Sequence, residues 1–431
     1  MAKLTPKKTQ VILLFFSLSL MLTMTFNKEI KINNLFQNNS FAIQVNKNIE
    51  AKELDLKQVD TIRDMIANQD NLNTLEVREF ALGWYDRIDK LNGIDIMAEQ
   101  GFNVIIPYVG YANQQDFGKI RPEHYSVVKN YLNQALLRDI KVLLQIPPDD
   151  VKNGNLSSII KFIEEFKSHQ SVYGWYLYDE PILKDIQPEQ LSNVYNTIKE
   201  ETPEKPVALL FHPPLMSSPD KPFDSYSEFF DIFMGEWYPS FAGEPEFNRY
   251  KNYGSSLRKV QDYIGDKSLI TVLQAFGDNS GNNSNWRFPT FREERYMIYN
   301  AILSESQGII FYKNHNNENL WVNWVDTTLL PLVNELKENL PPIINGKREN
   351  MISVNNSNVD VGFYAYNNQA DYIIISVNHG RNRENVSFFL SQEITSTTLE
   401  NRFNREEIHI SNHQFTDTLD AYGVHIYKGQ L

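Results

Sequence analysis

The chain predicts a (β/α)8 TIM barrel followed by a small antiparallel β-sandwich, and three observations carry that expectation. Eight strand-like runs alternate with segments of helical periodicity between Val77 and Tyr312. Apolar runs such as Val142-Leu143-Leu144 and Ile309-Ile310-Phe311 are nearly continuous, as parallel strands covered on both faces require. After Gly346 the helical spacing stops, and short alternating strands separated by turn residues take over. A doubly wound open sheet is the alternative, but no G-x-G-x-x-G or G-x-x-x-x-G-K-[ST] follows a strand to cradle a phosphate.

Taken in order, the chain opens with Lys3, Lys7 and Lys8 ahead of the apolar run Val11 to Met24. That is the layout of a signal peptide, too short for a comfortable membrane span and without a clear cleavage site. Residues 1–26 are therefore assigned to a signal peptide or signal anchor, and export is expected. Residues 27–50, rich in Asn and Lys, read as a linker. The barrel is assigned to 51–345, beginning with a helical lead-in that spaces Leu54, Val59, Ile62, Met65 and Ile66 along one face. Its strands are expected at 77–84, 103–109, 141–146, 173–178, 206–211, 230–234, 269–275 and 308–312. Helices are expected at 125–137, 156–166, 188–200, 291–305 and 329–340, the last ended by Pro341-Pro342. Residues 346–431 form the sandwich, with strands at 360–366, 371–377, 385–390, 398–401, 407–410 and 423–427.

Composition narrows the chemistry. The net charge of -13 over 431 residues argues against nucleic acid or an anionic membrane surface as partner. Contact with a membrane is expected only through an uncleaved N-terminal anchor, and the sequence does not speak to oligomeric state. With no cysteine, thiol nucleophiles and zinc–thiolate sites are excluded. No cofactor or metal motif is present; His212, His315 and Glu236 stand at three strand ends, but nothing in their spacing demands an ion.

In a barrel of this kind chemistry gathers where strands end. The fourth strand runs through Gly174-Trp175-Tyr176-Leu177-Tyr178 into Asp179-Glu180-Pro181. Aromatic neighbours and burial can raise a carboxyl pKa and leave Glu180 a proton donor. Asp179 and Glu180 are expected on opposite faces of an extended strand, so a second carboxylate must come from elsewhere. Glu236 is the first candidate, then Asp278, then Asp86. Trp84, Tyr108, Tyr178, His212, Trp237, Tyr238, Gln274, Trp286, Tyr312 and Trp321 stand at or after strand ends, and such rings and amides suit the binding of a sugar.

Gly174-Trp175-Tyr176-Leu177-Tyr178-Asp179-Glu180-Pro181 resembles the strand-four signature of clan-A glycoside hydrolase barrels. Val272-Leu273-Gln274-Ala275-Phe276-Gly277, Arg287-Phe288-Pro289-Thr290 and the closing Asp420 to Tyr427 are similar to exported putative glycosyl hydrolases with a C-terminal β-sandwich. The resemblance implies a carbohydrate substrate and Glu180 as general acid/base; Asp179 stands where the clan has an Asn that hydrogen-bonds the sugar 2-hydroxyl, and can accept from that hydroxyl but not donate. It also implies a glutamate nucleophile at the end of strand seven, where this chain has Gln274. Two readings follow: a glycoside hydrolase whose nucleophile has moved to Glu236 or Asp278, or a non-catalytic carbohydrate-binding envelope protein on the same scaffold. A metal-dependent deacetylase is a third.

Overall fold

The computed structural model describes residues 80–89, 92–212, 222–240, 246–277, 287–313, 318–367 and 369–431. The expected signal segment, linker and helical lead-in lie outside these residues, as do Asp278, Trp286 and His315. No helix among the described residues is long and apolar enough to cross a membrane.

Eight parallel strands close on themselves in sequence order, β1 pairing with both β2 and β8. They are β1 (Ala81–Arg87), β2 (Val104–Tyr108), β3 (Lys141–Gln145), β4 (Val172–Asp179), β5 (Val207–Phe211), β6 (Ile232–Glu236), β7 (Ser268–Gln274) and β8 (Gly308–Tyr312). The helices around them include α1 (Asn92–Glu99), α2 (Tyr125–Leu136), α3 (Leu156–Phe166), α4 (Pro188–Glu201), α5 (Glu246–Ile264), α6 (Phe291–Leu303) and α7 (Leu330–Asn345). This is the predicted barrel, and two details differ. β1 runs later than 77–84, so that Tyr85 and Asp86 lie inside the strand and not beyond it. The helix α7 also continues through Pro341 and Pro342 to Asn345. Those prolines fall in its last turns, where few ladder bonds remain to be lost.

Period-two alternation sorts each strand between two cores. Inward residues such as Tyr85, Ile106, Leu143, Tyr176, Leu210, Met234, Val272 and Ile310 fill the barrel. Outward ones such as Trp84, Leu144, Trp175, Phe211 and Phe311 pack beneath the helices. Trp175 is fully buried there, its indole N–H donating to Thr202 Oγ1 at 2.9 Å.

Beyond α7 the chain forms β9 (Lys347–Glu349), β10 (Ile352–Val354), β11 (Val359–Tyr366), β12 (Asp371–Asn378), β13 (Glu384–Leu390), β14 (Thr398–Asn401), β15 (Glu407–His409), β16 (Gln414–Leu419) and β17 (Val424–Gln430). They make a six-stranded sheet, β15-β14-β17-β12-β11-β9, and a three-stranded sheet, β10-β13-β16. Phe363, Tyr372, Ile374, Phe388, Phe415 and Tyr427 fill the space between the two sheets. Ile373, Ile375, Val377, Val424 and Ile426 face the other way and join the core under the barrel helices. β16 escaped the sequence reading because Asp417 interrupts its apolar face; that carboxylate accepts from Tyr427 Oη at 2.9 Å and lies 2.7 Å from His425 Nδ1.

Candidate active site at the barrel mouth

Counting by twos to the end of each strand gives its last inward position, and these positions line the mouth. β2 contributes Tyr108, β6 contributes Glu236, β7 contributes Gln274 and β8 contributes Tyr312. β4 does not obey the simple count. Its pairing with β5 slips at Leu177, from Tyr176↔Ala208 to Tyr178↔Leu209 and Asp179↔Leu210. This bulge turns Tyr178 outward into the helix layer and brings Asp179 inward above Tyr176.

Glu180 then leaves extended geometry altogether, with φ 50°. Its N–H still donates to Leu210 O at 3.1 Å, while Lys184 N–H closes a turn on Glu180 O at 3.1 Å. The left-handed backbone places Glu180 on the same side as Asp179. Carboxylate oxygens of Asp179, Glu180 and Glu236 lie within 4.8 Å of one another. The expectation that consecutive residues must diverge therefore fails here, because it presumes an extended residue 180. Such strain is found where a site over-determines its backbone.

The cluster is held from several sides. Tyr238 Oη donates to Glu236 Oε2 at 2.5 Å, and His212 Nδ1 lies 3.1 Å from Glu236 O. Lys184 Nζ pairs with Asp179 Oδ1 at 3.0 Å, and Tyr108 donates a further hydrogen bond to Asp179. Around them Tyr85 stacks on Tyr108 at 5.2 Å and Tyr238 on Tyr312 at 5.7 Å, with Phe276 edge-on to Tyr238 at 5.0 Å. Burial pushes the Glu236 carboxyl well above its usual range, and its hydrogen bond to Glu180 and that residue's charge push the same way. Asp179 is also raised, chiefly by burial, against the pull of Lys184. His212 is lowered by burial. In this cluster it is Glu236 that burial favours in its protonated form, and its hydrogen bond to Glu180 favours the same form.

Three oxygens this close are also within reach of one hard cation, which takes six or more oxygen ligands. Lys184 and Tyr238 already engage two of these carboxylates, and such partners suit proton chemistry at least as well.

Of the residues singled out from sequence, the structure gathers Tyr108, Asp179, Glu180, His212, Glu236, Tyr238 and Tyr312. Trp237 lies beside them, 6.3 Å from the His212 ring and half-buried against Tyr253. Others face away. Trp84 and Trp321 pack edge to face at 5.7 Å in the core beneath the helices, because Trp84 occupies an outward position of β1. Asp86, on the same outward face, accepts from Tyr131 Oη of α2 at 2.9 Å. Gln274 is buried and spent on bracing: its oxygen accepts from Ser240 N at 3.1 Å, and its amide donates to Phe276 O and Arg287 O at 3.0 and 3.1 Å. Sequence reading missed Lys184, Tyr85 and Tyr176. The tyrosines could have been found by counting inward positions, and Lys184 by noting a lysine one turn beyond Glu180.

Known structures share this architecture. A family 5 glycoside hydrolase from Bacteroides vulgatus superposes with a TM-score of 0.55 at 12% identity, over 81% of this chain and 89% of that one. A family 27 β-L-arabinopyranosidase from Geobacillus stearothermophilus gives 0.53 at 13%, over 82% and 96%. An α-amylase from Geobacillus thermoleovorans, complexed with acarbose, gives 0.52 at 12%, over 82% and 99%. No protein-family model matches the sequence, and no curated protein matches it. At these identities the likeness is one of fold, and the chain shares with these glycoside hydrolases a (β/α)8 barrel followed by a β-rich C-terminal region.

Proposed function

We propose that this protein is a glycoside hydrolase acting on a poly- or oligosaccharide through two carboxyl groups, Glu180 and Glu236. The observation that carries the reading is the cluster itself: carboxyls from β4 and β6 within 4.8 Å at the mouth of a tyrosine-lined barrel. The proton that burial holds on Glu236 passes along the hydrogen bond between them to Glu180, which, set on its turn, delivers it to the glycosidic oxygen. Glu236, anchored by Tyr238, meets the anomeric carbon. Asp179 accepts from a sugar hydroxyl and is steadied by Lys184 and Tyr108. A separation this small is below the spacing of an inverting pair, whose carboxyls stand about 6.5–9.5 Å apart to admit a water. The neighbours that share the fold, one of them bound to acarbose, support a carbohydrate substrate. The basic and apolar N-terminal residues support export.

A panel of polysaccharides and aryl glycosides, read by reducing-end release, tests the proposal. Glu180→Gln should lower kcat by about 10²–10⁴-fold while sugar affinity stays within a few-fold, since the amide keeps the shape but holds no acidic proton. Unchanged turnover in that variant would remove Glu180 from the mechanism. The amide at Gln274 favours a second reading, a carbohydrate-binding protein without turnover; binding without hydrolysis across the whole panel would establish it.

A further inference from the structure

We infer that His379, contributed by the C-terminal sheet, is a positioning residue for the segment Glu236–Ser240, which brings Glu236 and Tyr238 to the mouth. The inference rests on the hydrolase reading only for its effect on turnover. The connection runs through bonds that are all buried. His379 follows β12 and has 8% of its surface exposed. Its Nδ1 lies 2.8 Å from Tyr296 Oη on α6, and that hydroxyl lies 2.9 Å from Tyr250 O on α5. The Tyr250 hydroxyl meets Ser240 Oγ at 2.5 Å, and Ser240 N–H donates to Gln274 Oε1 at 3.1 Å. Ser240 is thus tied from two sides, four residues after Glu236. Between them Tyr238 holds the Glu236 carboxyl, and Trp237 packs on Tyr253 of α5 at 5.9 Å.

Both ring nitrogens of His379 are engaged: Nδ1 by Tyr296 Oη and, on the other side of the ring, Nε2 by Asp360 Oδ2 of β11 at 2.6 Å, a carboxylate that Arg258 of α5 also contacts. The remaining groups that face this pocket are Asn300 of α6, Tyr422 of the β16–β17 turn and, acting on Asp360 through its charge, Arg348 of β9. Gly254 gives the ring its seat: a Cβ there would stand 2.9 Å from His379 Cε1. Loss of the imidazole breaks one end of the bridge, and the tether on Tyr250 and Ser240 slackens.

The test follows amide protection by hydrogen exchange in Glu236–Ser240 and, as reference, in β2, in the full chain. His379→Phe, which keeps a ring but no hydrogen-bonding nitrogen, should lower protection of Glu236–Ser240 about tenfold while β2 stays level. Tyr250→Phe should reproduce the loss. Where turnover is measurable, His379→Phe should lower kcat about tenfold with KM within about twofold, because displacement of Glu236 spoils geometry more than binding. Equal protection of the segment in wild type and His379→Phe, or a loss spread evenly over the barrel, would overturn the inference. An inactive wild type would overturn the hydrolase reading and leave the exchange result to decide this one.

Discussion

Asp86, buried, and Glu236, half-buried, are both carboxyls near strand ends, yet they face opposite sides of one sheet and do different work. Asp86 points into the helix layer, where burial raises its pKa from 3.8 to about 6 against the hydrogen bond from Tyr131 and the charge of Lys313. A raised value means that the folded chain holds this proton more tightly than the unfolded one. Its contribution to stability is complete below about pH 4 and is lost as pH rises through about 6. Asp86→Asn keeps an acceptor for Tyr131 and needs no proton. Its unfolding free energy should match the wild type at low pH and exceed it above pH 6 by on the order of 2 kcal/mol, as read by denaturant titration. Turnover should be retained, since the side chain does not reach the mouth. Parity along β1 decides all of this, and a shift of the strand by a few residues hid it from a reading that gathered whatever followed each predicted strand.

At the scale of the element, β4 is where the site is made. The bulge at Leu177 reverses the facing of everything after it, and the left-handed residue 180 then folds the next carboxyl back over the first. A non-glycine residue at φ 50° is strained, and glycine adopts that geometry freely. Glu180→Gly and Glu180→Ala both remove the carboxyl, so their difference isolates the backbone. The glycine variant should unfold about 1 kcal/mol later than the alanine variant, although glycine loses more entropy on folding. Both should be inactive. Equal stability would show that the turn at Glu180 is relaxed.

At the scale of the whole molecule, the C-terminal sheets are part of one core with the barrel. β12 is buried on both faces, giving Tyr372 and Ile374 to the sandwich and Ile373, Ile375 and Val377 to the layer under the helices. Removing the sandwich would leave α6 and α7 with a bared apolar face. A chain ending at Asn345 should therefore aggregate or lose its near-ultraviolet circular dichroism, whereas separate domains joined only by a linker would survive the cut. The hydrogen bond from the Arg295 guanidinium to Val424 O and the His379 bridge cross the same boundary. Through these bonds a region without tryptophan comes into contact with the helices α5 and α6 beside the barrel.

The order of strands and helices, the closed parallel barrel, the change to antiparallel strands and the motif around Glu180 were all readable in the chain. They depend on local periodicity and turn residues, which are written in consecutive letters. Glu236 was nameable for the same reason, as the acid at a strand end. What tertiary structure alone decided is facing: the outward side of β1 took Trp84 and Asp86 out of the cleft, Trp321 packed down onto Trp84, and the bulge in β4 put Asp179 into it. Those outcomes depend on pairing with β5 and on packing against helices distant in sequence. Facing in a strand reverses with every residue of register, so a difference too small to alter the predicted fold is enough to rearrange its active end.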